Sequence, residues 1–261
     1  MKIPFFQVDA FSSKAFGGNP AAICILNSWL NNDVLQKIAS ENNLSETAFL
    51  VSTSPGNYEL KWFTPTIEID LCGHATLASA FVLFEYYDQG KTNLKFQTAS
   101  GELSVQKAAN LLSMKFPARP PVEANPPEIL TETLGVEASY VLESRDLLAV
   151  FEDENTIQNM TPDFNKIKKI KSHFGVIASA PGKLTDFVSR FFAPNAGVNE
   201  DPVTGSAHCT LIPYWAKRLN KNKLHAYQLS SRKGELFCGY SGDQVSIAGH
   251  SVLFAKGEIY I

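Results

Sequence analysis

One short pattern occurs twice in this chain, and it limits the possible folds more than any other feature. Phe63-Thr64-Pro65, followed by acidic residues ending at Asp70, leads to Gly73-His74-Ala75. Phe192-Ala193-Pro194, followed by Glu200-Asp201, leads to Gly205-Ser206-Ala207. From Pro65 to Pro194 is 129 positions and from Gly73 to Gly205 is 132, about half of the 261 residues. Each glycine opens a helix-like stretch. Gly73–Glu85 is apolar nearly all round, which suits a buried central helix rather than a surface one. Ser206 to about Leu219 forms a second small-then-apolar segment. The economical reading is an α/β (α+β) chain made of two copies of one unit, each wrapped around a buried helix.

The intervening sequence fits that reading. Phe5–Val8, Ala21–Leu26, Phe49–Val51, Tyr58–Phe63, Leu94–Gln97, Leu103–Gln106 and Leu111–Phe116 are strand-like runs bounded by Gly, Pro, Asn or Ser. Asp33–Asn42 carries the apolar spacing of an amphipathic helix. Five prolines between 117 and 127 can continue neither a helix nor a central strand, so they mark a linker. The expected domains are residues 1–116 and 128–249, joined by 117–127. Val245–Ala248, Val252–Phe254 and the closing residues add strands, and the segment from about 250 to 261 is a candidate to join the first domain.

Composition narrows the function classes. With 44% hydrophobic and 19% charged residues there is ample core material. A formal charge of −3 argues against nucleic acid as the main partner, because phosphate binding needs a clustered cationic face. The N-terminus reaches polar residues too soon for a signal peptide. No apolar run approaches the ~18 residues that span a bilayer. Cys24, Cys72, Cys209 and Cys238 form no CxxC pair, which suggests neither a metal site nor a disulfide framework. A soluble protein of a reducing compartment, by default the cytoplasm, is expected.

If the two units face each other, both buried helices start at one cleft. Each start offers unpaired N–H groups and a partial positive charge, and glycine lets a ligand approach the backbone closely. That combination calls for a small carboxylate-bearing substrate, although Gly73 and Gly205 would also serve tight helix–strand packing. Candidate proton carriers lie at the same places. Glu46, between a helix and a strand, is either a solvated loop residue or a base whose pKa is raised by an apolar cleft. His74, on the first turn of the buried helix, is either a core histidine or a site residue, and the helix dipole disfavours its cation. Asp201 either caps the second helix or acts in the site; Ser206 either caps it or binds a ligand oxygen. Cys72, just before a helix start, could have its thiol pKa lowered. A two-thiol racemase would need an opposed thiol, and the aligned stretch Asp201-Pro202-Val203-Thr204-Gly205 has none, with Cys209 one turn too deep.

Five motifs carry a resemblance. Phe5-x-x-Val-Asp-Ala-Phe11, Phe16-Gly-Gly-Asn-Pro20, Ser45-Glu-Thr-Ala-Phe49, Cys72-Gly-His-Ala-Thr76 and Asp201-Pro-Val-Thr-Gly-Ser206 together resemble the phenazine-biosynthesis PhzF-like family. The resemblance implies the diaminopimelate-epimerase fold of two pseudo-symmetric domains, each a curled sheet around a central helix. It also implies proton shuttling with no cofactor and no metal, as in isomerisation of trans-2,3-dihydro-3-hydroxyanthranilate. The implied catalytic residues are Glu46, His74 and Asp201; the implied substrate-binding residues are Gly73, Gly205, Ser206 and Asn19. A homodimer is implied as well. The stretch Gln228-Leu-Ser-Ser-Arg-Lys-Gly234 matches the family's Gln…Gly-Arg segment only loosely. Two other readings stay open: a non-catalytic small-acid binding protein, and an amino-acid epimerase that depends on Cys72.

Overall fold

The computed structural model describes residues 1–261, which fall into two compact units: Met1–Lys115 with Ala248–Ile261, and Phe116–Ile247. The first unit runs β1 (Lys2–Ala10), β2 (Asn19–Leu26), α1 (Asn32–Asn42), β3 (Glu46–Ser54), β4 (Asn57–Phe63), β5 (Glu68–Ile69), α2 (Gly73–Tyr86), β6 (Asn93–Thr98), β7 (Gly101–Ala108) and β8 (Leu111–Pro117). The pairings are β1–β2 antiparallel, β2–β3 parallel, β3–β4 antiparallel, β4–β6 parallel and β6–β7 antiparallel. Parallel neighbours need a crossover, and the two parallel pairs are bridged by α1 and α2.

In the second unit come β9 (Val122–Glu123), α3 (Leu130–Leu134), β10 (Tyr140–Glu143), β11 (Leu147–Val150), α4 (Glu154–Asn159), α5 (Phe164–Ile167), β12 (Val176–Pro181), β13 (Phe187–Phe192), α6 (Gly205–Leu219), β14 (Lys223–Gln228), β15 (Gly234–Ser241) and β16 (Gln244–Gly249). Its pairings are β10–β11 antiparallel, β11–β12 parallel, β12–β13 antiparallel, β13–β14 parallel and β14–β15 antiparallel. Strand for strand this is the sequence of senses in the first unit. The long helix again connects the fourth and fifth strands of the series. The chain then closes with β17 (Ser251–Tyr260), which pairs antiparallel with β1 along its whole length. The fold is therefore the two-copy α/β architecture that the repeated pattern calls for.

Each long helix is placed by its apolar faces. In α2, residues from His74 to Ala80 and from Val82 to Phe84 are all buried, and the helix packs on β2, β1 and β3. In α6 the buried residues run from Ala207 to Pro213, then Trp215 and Ala216, against β15 and β14. By contrast α1 buries only Leu35, Ile38 and Ala39. Its N-terminus is capped by the Asn31 side chain, and it ends at Asn43 in the left-handed region. In the second unit a cluster around Leu147, Phe151, Ile157, Val176 and Phe192 fills the other side of the sheet.

Within the proline-rich stretch, Val122 and Glu123 pair with β10. Ala118 N–H donates to Asp243 O at 2.8 Å, and Arg119 N–H to Cys209 O at 2.9 Å. The prolines thus punctuate a segment tied to the second unit. No helix is long and apolar enough to cross a membrane.

Candidate active site

Glu46 is the first residue of β3, paired with Ala21 of β2. Its neighbour Thr47 is fastened by Asn42 of α1, whose Nδ2 donates to Thr47 Oγ1 at 3.1 Å. The carboxylate is not the solvated loop group its position allowed. Its side chain is 16% exposed and its Oε2 lies 2.9 Å from His74 Nε2. The two atoms stand at ion-pair distance but off the direction of a well-aligned hydrogen bond, and neither has another partner. On the other edge of the ring, His74 Nδ1 is 3.5 Å from Cys72 Sγ. Cys72, His74 and Glu46 therefore form a line, sulfur to imidazole to carboxylate.

Two expectations about this line are corrected. Cys72 precedes a helix start, yet its thiol pKa moves up, because burial opposes the thiolate and the Glu46 charge adds to it. His74 lies at the positive end of a helix and is buried, both of which disfavour its cation. Its pKa nevertheless rises well above the usual histidine value, because its coupling to the Cys72 and Glu46 side chains on either side of the ring outweighs desolvation.

The three donor atoms lie within 4.8 Å of one another, near enough for a cation on distance alone. The ring, however, turns one nitrogen to each partner.

Asn19 begins β2 opposite Ala10 and is fully buried. The loop before it depends on Gly18. That residue has φ +64°, and a Cβ there would lie 2.0 Å from Ala10 O, so only glycine fits. Asp9 Oδ2 accepts the Phe16 N–H at 2.8 Å and holds the same turn. Gly73 opens α2 after Cys72, which provides no side-chain cap.

In the second unit Asp201 does not cap α6. The cap position is Thr204, which provides no side-chain cap either. Instead Thr204 Oγ1 donates to Asp201 Oδ2 at 2.5 Å. Gln228, in the loosely matching stretch, pins this loop: its Nε2 donates to Asp201 O at 2.8 Å and its Oε1 accepts Thr204 N–H at 2.9 Å. Gly234 makes room for the loop, since a Cβ there would lie 2.1 Å from Val203. Next to Asp201, Glu200 is gripped by Arg190 through two bonds of 2.7 and 2.8 Å.

A Cβ on Gly205 would meet nothing within 4 Å, so the backbone at the start of α6 is approachable. Ser206 does not cap the helix; its Oγ accepts from Arg145 Nη2 at 2.9 Å. Cys209 is a packed thiol, with Sγ 3.7 Å from Gly205 O and its pKa pushed up to about 11 by burial.

Sequence reasoning missed three contributors here: Gln228 as a brace, and the pair Arg145–Asp146 behind Ser206. The only signal for the last pair was an aspartate set directly before the wholly buried strand Leu147–Val150. A charge in that position needs a partner.

Two α/β copies around buried helices, with a buried carboxylate–imidazole pair at one helix start, define a protein of the epimerase fold. A solved structure of a predicted epimerase from Pseudomonas aeruginosa superimposes with a TM-score of 0.75 at 18% identity over 99% of each chain, which bears on the fold alone. The family model described as phenazine biosynthesis-like protein matches residues 8–257. An uncharacterized isomerase of Pseudomonas aeruginosa is 50% identical over the full length of both chains. The crystal structure of a PhzF-family phenazine biosynthesis protein from Enterococcus faecalis matches with a TM-score of 0.98 and 48% identity, covering both chains completely. The chain belongs to the PhzF family of isomerases.

Proposed function

We propose that this isomerase moves a proton between carbons of a small carboxylate-bearing substrate without a cofactor, in the manner of a trans-2,3-dihydro-3-hydroxyanthranilate isomerase. The observation that carries the proposal is the buried Glu46–His74 pair, 2.9 Å apart and sheltered from water. Glu46 takes a proton from a carbon made acidic by a neighbouring imine, enol or carboxylate system. The C–H electron pair enters that conjugated system while a Glu46 O–H bond forms. A proton from the Glu46 carboxyl, which exchanges with solvent between the two transfers, then adds to a second carbon, the double bond shifts, and Glu46 is regenerated. Nothing is oxidised or reduced. His74, as imidazolium, stabilises the negative charge that develops between the two transfers. Asn19 and Gly73 are the substrate-binding candidates of the first unit, and Gly205 and Ser206 those of the second, where the uncapped start of α6 and the Ser206 hydroxyl suit a carboxylate. Asp201 relays or stabilises charge, braced by Thr204 and Gln228.

The test is hydrogen–deuterium exchange at carbon. The protein is incubated in D₂O with a panel of cyclic and acyclic amino and hydroxy acids, and label is followed by mass spectrometry. Glu46→Gln is expected to lower exchange by about 10²–10⁴-fold with the fold intact. Exchange at the wild-type rate in that variant would remove Glu46 as the base. Binding without any exchange, in any compound, would favour a small-acid binding protein. A Cys72 thiolate base is disfavoured by burial of that sulfur. Loss of exchange on thiol alkylation, with Glu46→Gln unimpaired, would restore it.

A further inference from the structure

We propose that Arg145 is a positioning residue that fixes the Ser206 hydroxyl as a hydrogen-bond donor toward a carboxylate at the start of α6. The inference rests on the reading of Ser206 as a carboxylate-binding group.

The argument begins with hydroxyls on the two long helices. In α2, Thr76 and Ser79 turn their hydroxyls back onto the helix, donating to Cys72 O at 2.6 Å and Ala75 O at 2.7 Å. That is the usual local solution for such side chains. Ser206 does otherwise. Its one hydrogen bond is the contact in which Arg145 Nη2 donates to Oγ. A guanidinium has donors only, so the Ser206 proton cannot point at Arg145, and it is not directed back along the helix. Ser206 is partly exposed, and beside it Gly205 leaves open space. The hydroxyl is therefore set to donate outward.

Arg145 is itself built in. Nε and Nη2 both face the Asp146 carboxylate at 3.0–3.3 Å. The guanidinium also lies 4.4 Å from the centre of the Phe174 ring. The Asp146 side chain has no exposure, so the carboxylate acts on Arg145 as a fixed anchor. A second guanidinium, Arg119, acts on the same carboxylate and has a buried Nη1 with no partner. Two cations around one anion leave an excess positive charge behind Ser206, which favours an anionic ligand over a neutral one of the same shape. A role confined to neutralising Asp146 would need no contact with Ser206 and would give no such selectivity.

The test titrates sodium benzoate and benzamide, which match in shape but not in charge, into wild type, Ser206→Ala, Arg145→Lys and the double variant, followed by NMR. Arg145→Lys keeps the cation opposite Asp146 but has a single nitrogen to share. Wild type is expected to bind benzoate about tenfold more tightly than benzamide, and each single variant to lose about that factor for benzoate only. The double variant should lose no more than either single one. Should Arg145→Lys fold poorly, Arg145→Gln with Asp146→Asn leaves the net charge beside Arg119 unchanged while weakening the hold on Ser206, and is expected to lose affinity for benzoate as Ser206→Ala does.

Unaltered benzoate affinity in the Arg145 variants, or losses that add in the double variant, would overturn the role of Arg145. Equal binding of the two probes by wild type would overturn it together with the carboxylate-binding reading. Because the readout is binding, failure of Glu46 as the base would show only in the exchange experiment.

Discussion

At the scale of single residues, the contrast between two buried histidines is instructive. His74 sits between a thiol and a carboxylate, and its proton is held more tightly than usual. His208 is equally buried, but its Nδ1 faces only the Thr204 carbonyl at 2.8 Å and its Nε2 has no partner. Burial pushes its pKa down to about 4. Its folded-state value is therefore below its unfolded one, and the unfolded chain binds the extra proton. The stability it contributes is present above pH ~6.5 and is lost as the pH falls toward 4, by about 3 kcal/mol in all. Urea unfolding at pH 7, 5.5 and 4.5 should show that decline in wild type and a flatter one in His208→Gln. Parallel slopes in the two proteins would show that His208 is not the group responsible.

At the scale of elements, α2 and α6 start without a side-chain cap, and the loops before them are held by distant side chains instead. Gln228 is the clearest case. Replacing it with Leu leaves the buried Thr204 N–H unpaired and frees the Asp201 loop, at a cost of about 1–3 kcal/mol. Thermal unfolding measures the cost, and faster amide exchange at Thr204 locates it. A variant as stable and as protected as wild type would mean that the loop is held by its own backbone. The elements also show where the sequence could be read. Helices α1, α2 and α6 and the strands of the first unit were legible because their apolar residues are long runs or clear periods. Strands β10 to β13 and helices α3 to α5 were not, because they have four to six residues each and too few turns or alternations to show a period.

At the scale of the whole molecule, the two units repeat one order of strand senses, and the chain returns to finish the first unit with β17. That strand covers β1 from Lys2 to Ala10. A chain ending at His250 would leave β1 as a long uncovered edge, which favours association between copies. Such a protein is expected to give little soluble monomer and a lower melting temperature. A monomeric product melting like wild type would show that the first unit is complete without β17.

What the sequence determined by itself was the duplicated α/β plan, the two central helices, and the candidate residues His74, Asp201 and Ser206 near their starts, with Glu46 between a helix and a strand. These are local signals, carried by composition, periodicity and spacing along the chain. Only the tertiary structure decided their states. That the pKa values of both His74 and Cys72 are raised depends on three groups from two elements meeting within a few ångströms in a buried site. That Arg145 rather than water holds the Ser206 oxygen depends on a turn 61 positions away. Charge and hydrogen bonding act through space, and their strength is set by burial, which no short stretch of sequence encodes.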